Sequence, residues 1–211
     1  MTDKVRLVIF AKYPKVGQVK TRLIPAIGAE GAVKLANLML RHTLDQALQS
    51  QVGEIELCVS PDSNSYEWQS IHLTQNIYLT DQGNGNLGQR LTRAAQRVVE
   101  EGKAVIFIGT DCPALNAAML KEVVIQLEKY DAVMIPASDG GYVLLALKHF
   151  DHSVFMDIQW STSSVASDSL TKIKALGWSV TLLPVLHDID EPEDLNKLPL
   201  EWLAKISLRA N

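Results

Sequence analysis

Apolar residues along this chain fall into short unbroken runs, separated by stretches in which they recur every three or four positions. Residues 4–11 (KVRLVIFA) form a compact β-rich run that predicts a buried first strand, ending in a loop that carries Pro14 and Gly17. Ala32, Leu35, Ala36, Met39, Leu44 and Ala47, with Thr43 on the same stripe, have helical spacing and predict a helix over 32–48. Glu54–Ser60 (EIELCVS) alternates until Pro61 and reads as a second strand. A weak strand over 77–80 leads through a Gly/Asn-rich loop into a helix over about 88–101. Ala104–Ile108 (AVIFI) is a buried strand, and Leu120, Val123, Val124 and Leu127 mark a helix behind a candidate Asn116 cap. Strands over 131–136 and Tyr142–Leu147, a helix near 162–176, a strand near 178–184 and a helix from about Glu191 complete the reading.

Strands alternating with helices imply a largely parallel sheet covered on both faces, that is, a three-layer α/β/α sandwich. The strands flanking Asp139–Gly140–Gly141 leave no room for a crossover helix, so at least one is antiparallel or the two are not neighbours, and the sheet is mixed. At 211 residues the chain is long enough for one good-sized core and short for two, so 1–211 is read as a single domain. In such folds ligands bind beyond the carboxyl ends of the strands, which directs attention to the loops at those ends.

Composition narrows the field. With 47% apolar and 21% charged residues the chain is globular rather than disordered. Its net charge of −4 counts against a nucleic-acid partner, which would need a surplus of cations. Cys58 and Cys112 lack metal-like spacing and read as reduced thiols. The apolar run 5–11 is broken by Arg6 and is too short for a leader core or a membrane span, so a cytoplasmic protein without membrane insertion is expected.

Several loops can carry chemistry. The one after the first strand holds Lys12, Lys15, Lys20 and Arg22, cations suited to phosphate oxygens, although P-loop spacing is absent. Gly109-Thr-Asp111-Cys-Pro113 comes after the most apolar strand and puts a carboxylate where a divalent cation and its diphosphate would sit; an Asx-type turn before Pro113 is the structural alternative. Asp139-Gly140-Gly141-Tyr142 offers a candidate base beside glycines that allow close approach, or simply a turn. In His187-Asp188-Ile-Asp190-Glu-Pro-Glu193, Asp190 and Glu193 have capping-box spacing, and Asp190 is also a candidate second metal ligand. Gly83-Asn-Gly85-Asn-Leu-Gly88 fits G-x-G-x-x-G, with Asp111 roughly where a ribose-binding acid belongs, so a dinucleotide-binding oxidoreductase competes. The short polar strand before it and the idle basic loop that it would leave count against that reading. His42, His72, His149 and His152 read as surface or satisfied core histidines, Cys112 as a small turn residue, and Trp160 as packing or a stacking surface.

Taken in order, FAKYPKVGQVKTRL, NLGQRL, GTDCPAL, SDGGYVLLAL, IQWST and DIDEPEDL resemble a bacterial branch of the nucleotide-diphospho-sugar transferase superfamily, with the glycosyltransferase-A fold. Some members of that branch carry the description arsenosugar-biosynthesis glycosyltransferase, and the wider superfamily includes nucleotidyltransferases such as the guanylyltransferase acting on phospholactate. The match runs from Ile9 to Leu195. The resemblance implies that Lys12, Lys20 and Arg22 approach nucleotide phosphates and that Gly83, Gly85 and Arg90 lie near the base or ribose. It implies that Asp111 and Asp190 hold Mg2+ or Mn2+, and that Asp139, Gly140, Gly141, Tyr142 and Trp160 line the acceptor or sugar side. The chain departs from the family at two places: Pro113 stands where a D-x-D motif at Asp111 would need its second acid, and the first loop has no G-x-G-x-R. The expected function is glycosyl transfer from a nucleoside diphosphate sugar to a small acceptor, with Lys20 and Arg22 stabilising the leaving diphosphate and Asp139 as base. Nucleotidyl transfer from a nucleoside triphosphate is the alternative, with the oxidoreductase and a nucleotide-binding regulator without catalysis behind it.

Overall fold

The computed structural model describes residues 4–207 apart from positions 70, 72 and 75; His72 therefore lies outside the described residues. The elements in chain order are β1 (Val5–Lys12), α1 (Ile24–Ser50), β2 (Glu54–Ser60), α2 (Tyr66–Gln69), β3 (Ile77–Asp81), α3 (Leu87–Glu100) and β4 (Ala104–Ile108). They continue as α4 (Ala117–Lys129), β5 (Ala132–Pro136), β6 (Tyr142–Leu147), α5 (Val165–Ala175), β7 (Val180–Leu182) and α6 (Leu200–Ser207). The strands form one seven-stranded sheet in the order β3-β2-β1-β4-β6-β5-β7. Every pairing is parallel except those of β6, which runs antiparallel to both β4 and β5. This is the mixed sheet that the tight 137–141 connection requires.

Alternation along the strands sends side chains to two separate cores. Leu7, Ile9, Leu57, Ile106, Ile135 and Leu144 meet Leu40 and Leu44 of α1 and Leu120 and Val123 of α4. On the other face Val8, Phe107, Met134 and Leu145 meet Leu91, Ala95 and Val98 of α3 and Ile173 of α5. By length and composition α1 would also pass as a membrane span. Its apolarity is used twice within the fold: one side covers the sheet, while Leu35 and Met39 pack with Leu23, Ile189, Leu198, Trp202 and Ile206 in a third cluster under α6.

The expected elements recur, except that α1 begins at Ile24, eight residues before the expected start, and the short α2 was not expected. Asn116 does cap α4, its side chain accepting the Ala118 and Met119 amides at 3.0 and 3.1 Å. The helix expected from Glu191 is instead a 3-10 turn, Pro192–Lys197, with α6 after it. The capping reading shifts by one residue. Glu191 is the N-cap, and the Asp194 carboxylate accepts the Glu191 and Asp190 amides at 2.9 and 3.0 Å. That arrangement leaves the Asp190 carboxylate free of capping duty.

One polar cluster joins α3 to the sheet. Glu56 on β2 is fully buried and accepts from Arg97 at 2.5 and 2.8 Å and from the Thr80 hydroxyl at 2.6 Å, with Arg6 at 3.7 Å. A buried carboxylate is tolerable only with such partners. Replacing Glu56 by Ala leaves Arg97 without its carboxylate, while Arg6 keeps Glu54 and Glu101, and should cost about 3 kcal/mol, the low end for a broken buried pair because Arg97 stays partly solvated. Urea unfolding would measure this loss; an unchanged midpoint would show that the cluster contributes nothing.

Candidate functional site

The chain winds from β1 outward through β2 and β3, then returns to place β4 on the other side of β1. A crevice opens beyond the carboxyl ends of β1 and β4, where an α/β sheet binds ligands. Because β6 is antiparallel to β4, with Ile108 opposite Leu144, the start of β6 lies beside the Gly109–Asp111 turn. The β5–β6 connection carrying Asp139 is thereby delivered to the same edge. The segment after β7 joins it through a bridge between Leu186 and Ala137 and a bond from the Ser138 amide to the Leu186 carbonyl at 3.0 Å.

Lys20 connects these loops. Its ammonium donates to the Ile189 carbonyl at 2.7 Å and lies 2.8 Å from Asp111 and 3.1 Å from Asp190. The side chain is only 7% exposed, whereas both carboxylates are about half open to solvent (54% and 52%). Burial opposes the charge, yet Asp111 and Asp190 more than offset it and hold Lys20 above its ordinary pKa. Its backbone is left-handed (φ 46°), an uncommon state for a residue with a Cβ, at the head of the 3-10 turn Thr21–Leu23. Leu23, fully buried, and Ile189, at 2% exposure, sit in the third apolar cluster, so the residues that flank the charges are the anchors that position them. The Ile189 amide donates to the Asp111 carbonyl at 2.9 Å, and His42 of α1 holds the Pro113 carbonyl at 3.0 Å.

Arg22 lies beside this centre, 3.4 Å from Asp190 and 2.9 Å from Glu191. Lys12 bonds its own loop at the Gln18 carbonyl, 3.2 Å away, and Lys15 is 3.8 Å from Glu67. Of the four cations in the first loop, Lys20 and Arg22 thus reach the acidic residues. Asp188 joins them: burial raises its pKa first, and the charges of Asp139, Asp111 and Asp190 add to the effect. Sequence reasoning passed over Asp188. Its signal was the alternation Asp188-Ile189-Asp190, in which a buried isoleucine stands between two more exposed aspartates.

A pocket of about 400 Å³ adjoins the carboxylates. Its apolar part includes Phe10, Phe107, Leu91, Tyr142 and Trp160, with Phe10 and Phe107 edge to face at 5.7 Å. Asp111, Asp139 and Asp188 form the polar side. One oxygen of Asp139 accepts the Gly141 amide at 2.8 Å, which fixes the carboxylate and leaves its other oxygen for a ligand. The Tyr142 hydroxyl is buried without a hydrogen-bond partner, and burial pushes its pKa well up. Gly141 lines the pocket, but Gly140 serves packing: at φ 91° an added Cβ would lie 2.1 Å from the Ser163 carbonyl. Cys112 is buried and its thiol is pushed up by burial, so no thiolate nucleophile is at hand.

The glycine-rich loop does not behave as a dinucleotide fingerprint. It comes after β3, an edge strand with β2 and β1 between it and β4, whereas the fingerprint belongs after a central strand. Gln82 carries the chain back over the strand ends, donating to the Cys58 and Ala11 carbonyls at 3.0 and 3.1 Å, so that Leu87 shares the pocket with Asp111. Arg90 is tied to the Gly85 carbonyl and the Gln82 side chain, at 2.9 and 3.0 Å. Gly83 and Gly85 have positive φ, and an added Cβ would meet Arg93 or Gln89. Gly88 lets Trp160 approach, since a Cβ there would lie 2.8 Å from the indole nitrogen. Gly83, Gly85 and Arg90 thus shape the loop itself, and Gly88 seats Trp160 in the pocket wall.

Among the described residues no group of three or more His, Cys, Asp or Glu is spaced to hold a metal ion. The donor set still suits one hard cation. Asp111 and Asp190 already converge on a single positive charge, and magnesium commonly takes one or two carboxylates with substrate phosphates completing the shell.

Comparison with known proteins agrees with this architecture. The chain is similar to a provisionally named nucleotide-diphospho-sugar transferase from Desulfovibrio desulfuricans G20, 28% identical with a TM-score of 0.85, over 92% of this chain and 85% of that one. It is 27% identical over 135 residues to 2-phospho-L-lactate guanylyltransferase from Methanobrevibacter smithii, a match covering 64% of this chain and 58% of that protein's length. Rv0371c from Mycobacterium tuberculosis H37Rv, solved in complex with manganese, shares the fold at 16% identity and a TM-score of 0.52, over 98% of each chain. Residues 43–162 match the family described as "Uncharacterized protein conserved in bacteria (DUF2064)", and with more than half of its length matched the chain belongs to that family.

Proposed function

We propose that this protein is a transferase that uses a nucleotide donor, and that it moves a glycosyl group from a nucleoside diphosphate sugar to an acceptor hydroxyl. The observation that carries the reading is the buried Lys20 ammonium between Asp111 and Asp190, at the sheet edge and next to a pocket that can hold a second substrate. The nucleotide-sugar transferase neighbour supports it. Nucleotidyl transfer is the second reading, favoured by the guanylyltransferase relative.

Lys20 and Arg22 bind and orient the diphosphate, the first as a point charge and the second as a planar fork. Asp111 and Asp190 would hold Mg2+ or Mn2+, which would neutralise charge developing on the leaving diphosphate. Manganese bound to a protein of the same fold lends support. Asp139, fixed by the Gly141 amide, accepts the acceptor's hydroxyl proton at its unengaged oxygen. The aromatic side of the pocket excludes water from the sugar.

With at most two carboxylates available and Lys20 between them, metal and nucleotide should bind cooperatively. Mn2+ titrations monitored by electron paramagnetic resonance should show weak binding to the free protein, tightened about 10-fold or more by a nucleoside diphosphate. Asp111→Asn should remove that coupling; if it persists, the metal assignment is wrong. Lys20→Met should strengthen Mn2+ binding to the free protein while lowering kcat/KM about 10²- to 10³-fold. Unchanged turnover in this variant would exclude Lys20 from phosphate stabilisation. Mass spectrometry of products from sugar nucleotides and nucleoside triphosphates separates the two chemistries. Release of a nucleoside diphosphate and a sugar product supports glycosyl transfer, and pyrophosphate with a nucleotidyl product supports the second reading.

A further inference from the structure

We infer that the pocket beside Asp111 selects an uncharged, hydroxyl-bearing acceptor with an apolar face, and rejects phosphorylated or carboxylated compounds. The inference rests on reading this site as a transferase's acceptor side. It departs from the curated relative, whose named substrate, 2-phospho-L-lactate, bears both a phosphate and a carboxylate.

The lining of the pocket is one-sided in charge. Among the described residues that line this pocket the charged groups are Asp111, Asp139 and Asp188, and the lining includes no lysine, arginine or histidine; the Lys20 ammonium meets Asp111 at 2.8 Å from outside it. Lys20 is held by Asp111, Asp190 and the Ile189 carbonyl, and on the proposed reading the charge it has to offer serves the donor diphosphate rather than the acceptor. An anionic acceptor would enter against like charges with no fork of donors to receive it, and uncompensated like-charge contacts are among the strongest means of rejecting a partner.

The remaining walls say what is welcome. Carboxylates accept hydrogen bonds, so they suit hydroxyl groups. Ser161 and Thr162 add hydroxyls of their own, Ser161 from a left-handed backbone (φ 65°). Phe10, Phe107 and Trp160 offer aromatic surface for an apolar or sugar C–H face. A concave apolar site with a few convergent polar groups is the usual build of a small-molecule pocket.

The test uses the full chain and a matched pair of probes, phenyl β-D-glucopyranoside and phenyl β-D-glucuronide, which differ by one carboxylate. Binding is measured by saturation-transfer NMR and calorimetry, with and without Mn2+ and a nucleoside diphosphate from a panel of four bases. The neutral probe should bind at least about 10-fold more tightly. The gap should narrow in the isosteric Asp139→Asn/Asp188→Asn variant, whose thermal melt confirms folding, and Trp160→Ala should weaken the neutral probe. Equal or tighter binding of the glucuronide, or no binding of either probe at millimolar concentration, overturns the inference. A preference for the corresponding amino sugar would overturn it in favour of a cationic acceptor. If the neutral preference holds while no nucleoside diphosphate binds with Mn2+, the pocket assignment stands and the transferase reading fails.

Discussion

A buried ammonium cannot stand alone, and that requirement sets the arrangement of this molecule's functional edge. Lys20 is almost fully covered, so its charge has to be met by hydrogen-bond acceptors at close range, and these come from loops far apart in sequence. Asp111 reaches it from the end of β4, and Asp190 and the Ile189 carbonyl from beyond β7. The left-handed backbone at Lys20 is held in place by the turn it opens. Leu23 anchors that turn in the apolar cluster that also takes in Ile189, and α1 and α6 close the cluster from outside. Charge satisfaction above and apolar burial below thus determine the same geometry.

The antiparallel β6 completes the arrangement. Had the chain crossed over after β5 as it does after β1 and β2, the Asp139 turn would have been replaced by a helix and its connections. The tight reversal returns the chain at once to the ligand-binding edge, so Asp139, Gly141 and Tyr142 share a pocket with Asp111. The opposite flank is held by different means. Glu56, Arg97 and Thr80 join β2, β3 and α3 through an ion pair and a hydrogen bond added to the apolar packing of α3, and the same helix presents Leu91 to the pocket.

Much of this was legible in the sequence where signals were local. Periodicity located the strands and most helices, the Asn116 cap was correct, and the lack of space around Gly140–Gly141 left an antiparallel strand or non-neighbouring strands, of which the first is found. Asp111, Lys20 and Asp190 were named from their loops, and the structure brings them together. What escaped was set by distant contacts. Asp188 acquires its character only when burial and three other aspartates surround it. The capping motif could be placed one residue off because either register, Asp190 with Glu193 or Glu191 with Asp194, has acidic groups at suitable spacing. The G-x-G-x-x-G pattern was ambiguous because strand order is not written in a motif: a loop after an edge strand and a loop after a central strand can share the same letters. Its glycines answer to Arg93, Gln89 and Trp160, neighbours that only the folded loop supplies.

The bond between Lys20 and Ile189 spans 169 positions. During synthesis the first loop emerges early and the Asp111 turn midway, while the segment that carries Ile189 and Asp190, with the α6 helix that seals it, comes late. Until that segment arrives, Lys20 lacks most of its acceptors and Leu23 lacks its cover. The nascent chain can form the central sheet and still lack the completed Lys20 cluster. Assembly of the Lys20 cluster is therefore a late event for the whole domain, and a ribosome-bound intermediate with a formed sheet would be structurally advanced while Lys20 still lacked the Ile189 carbonyl and Asp190.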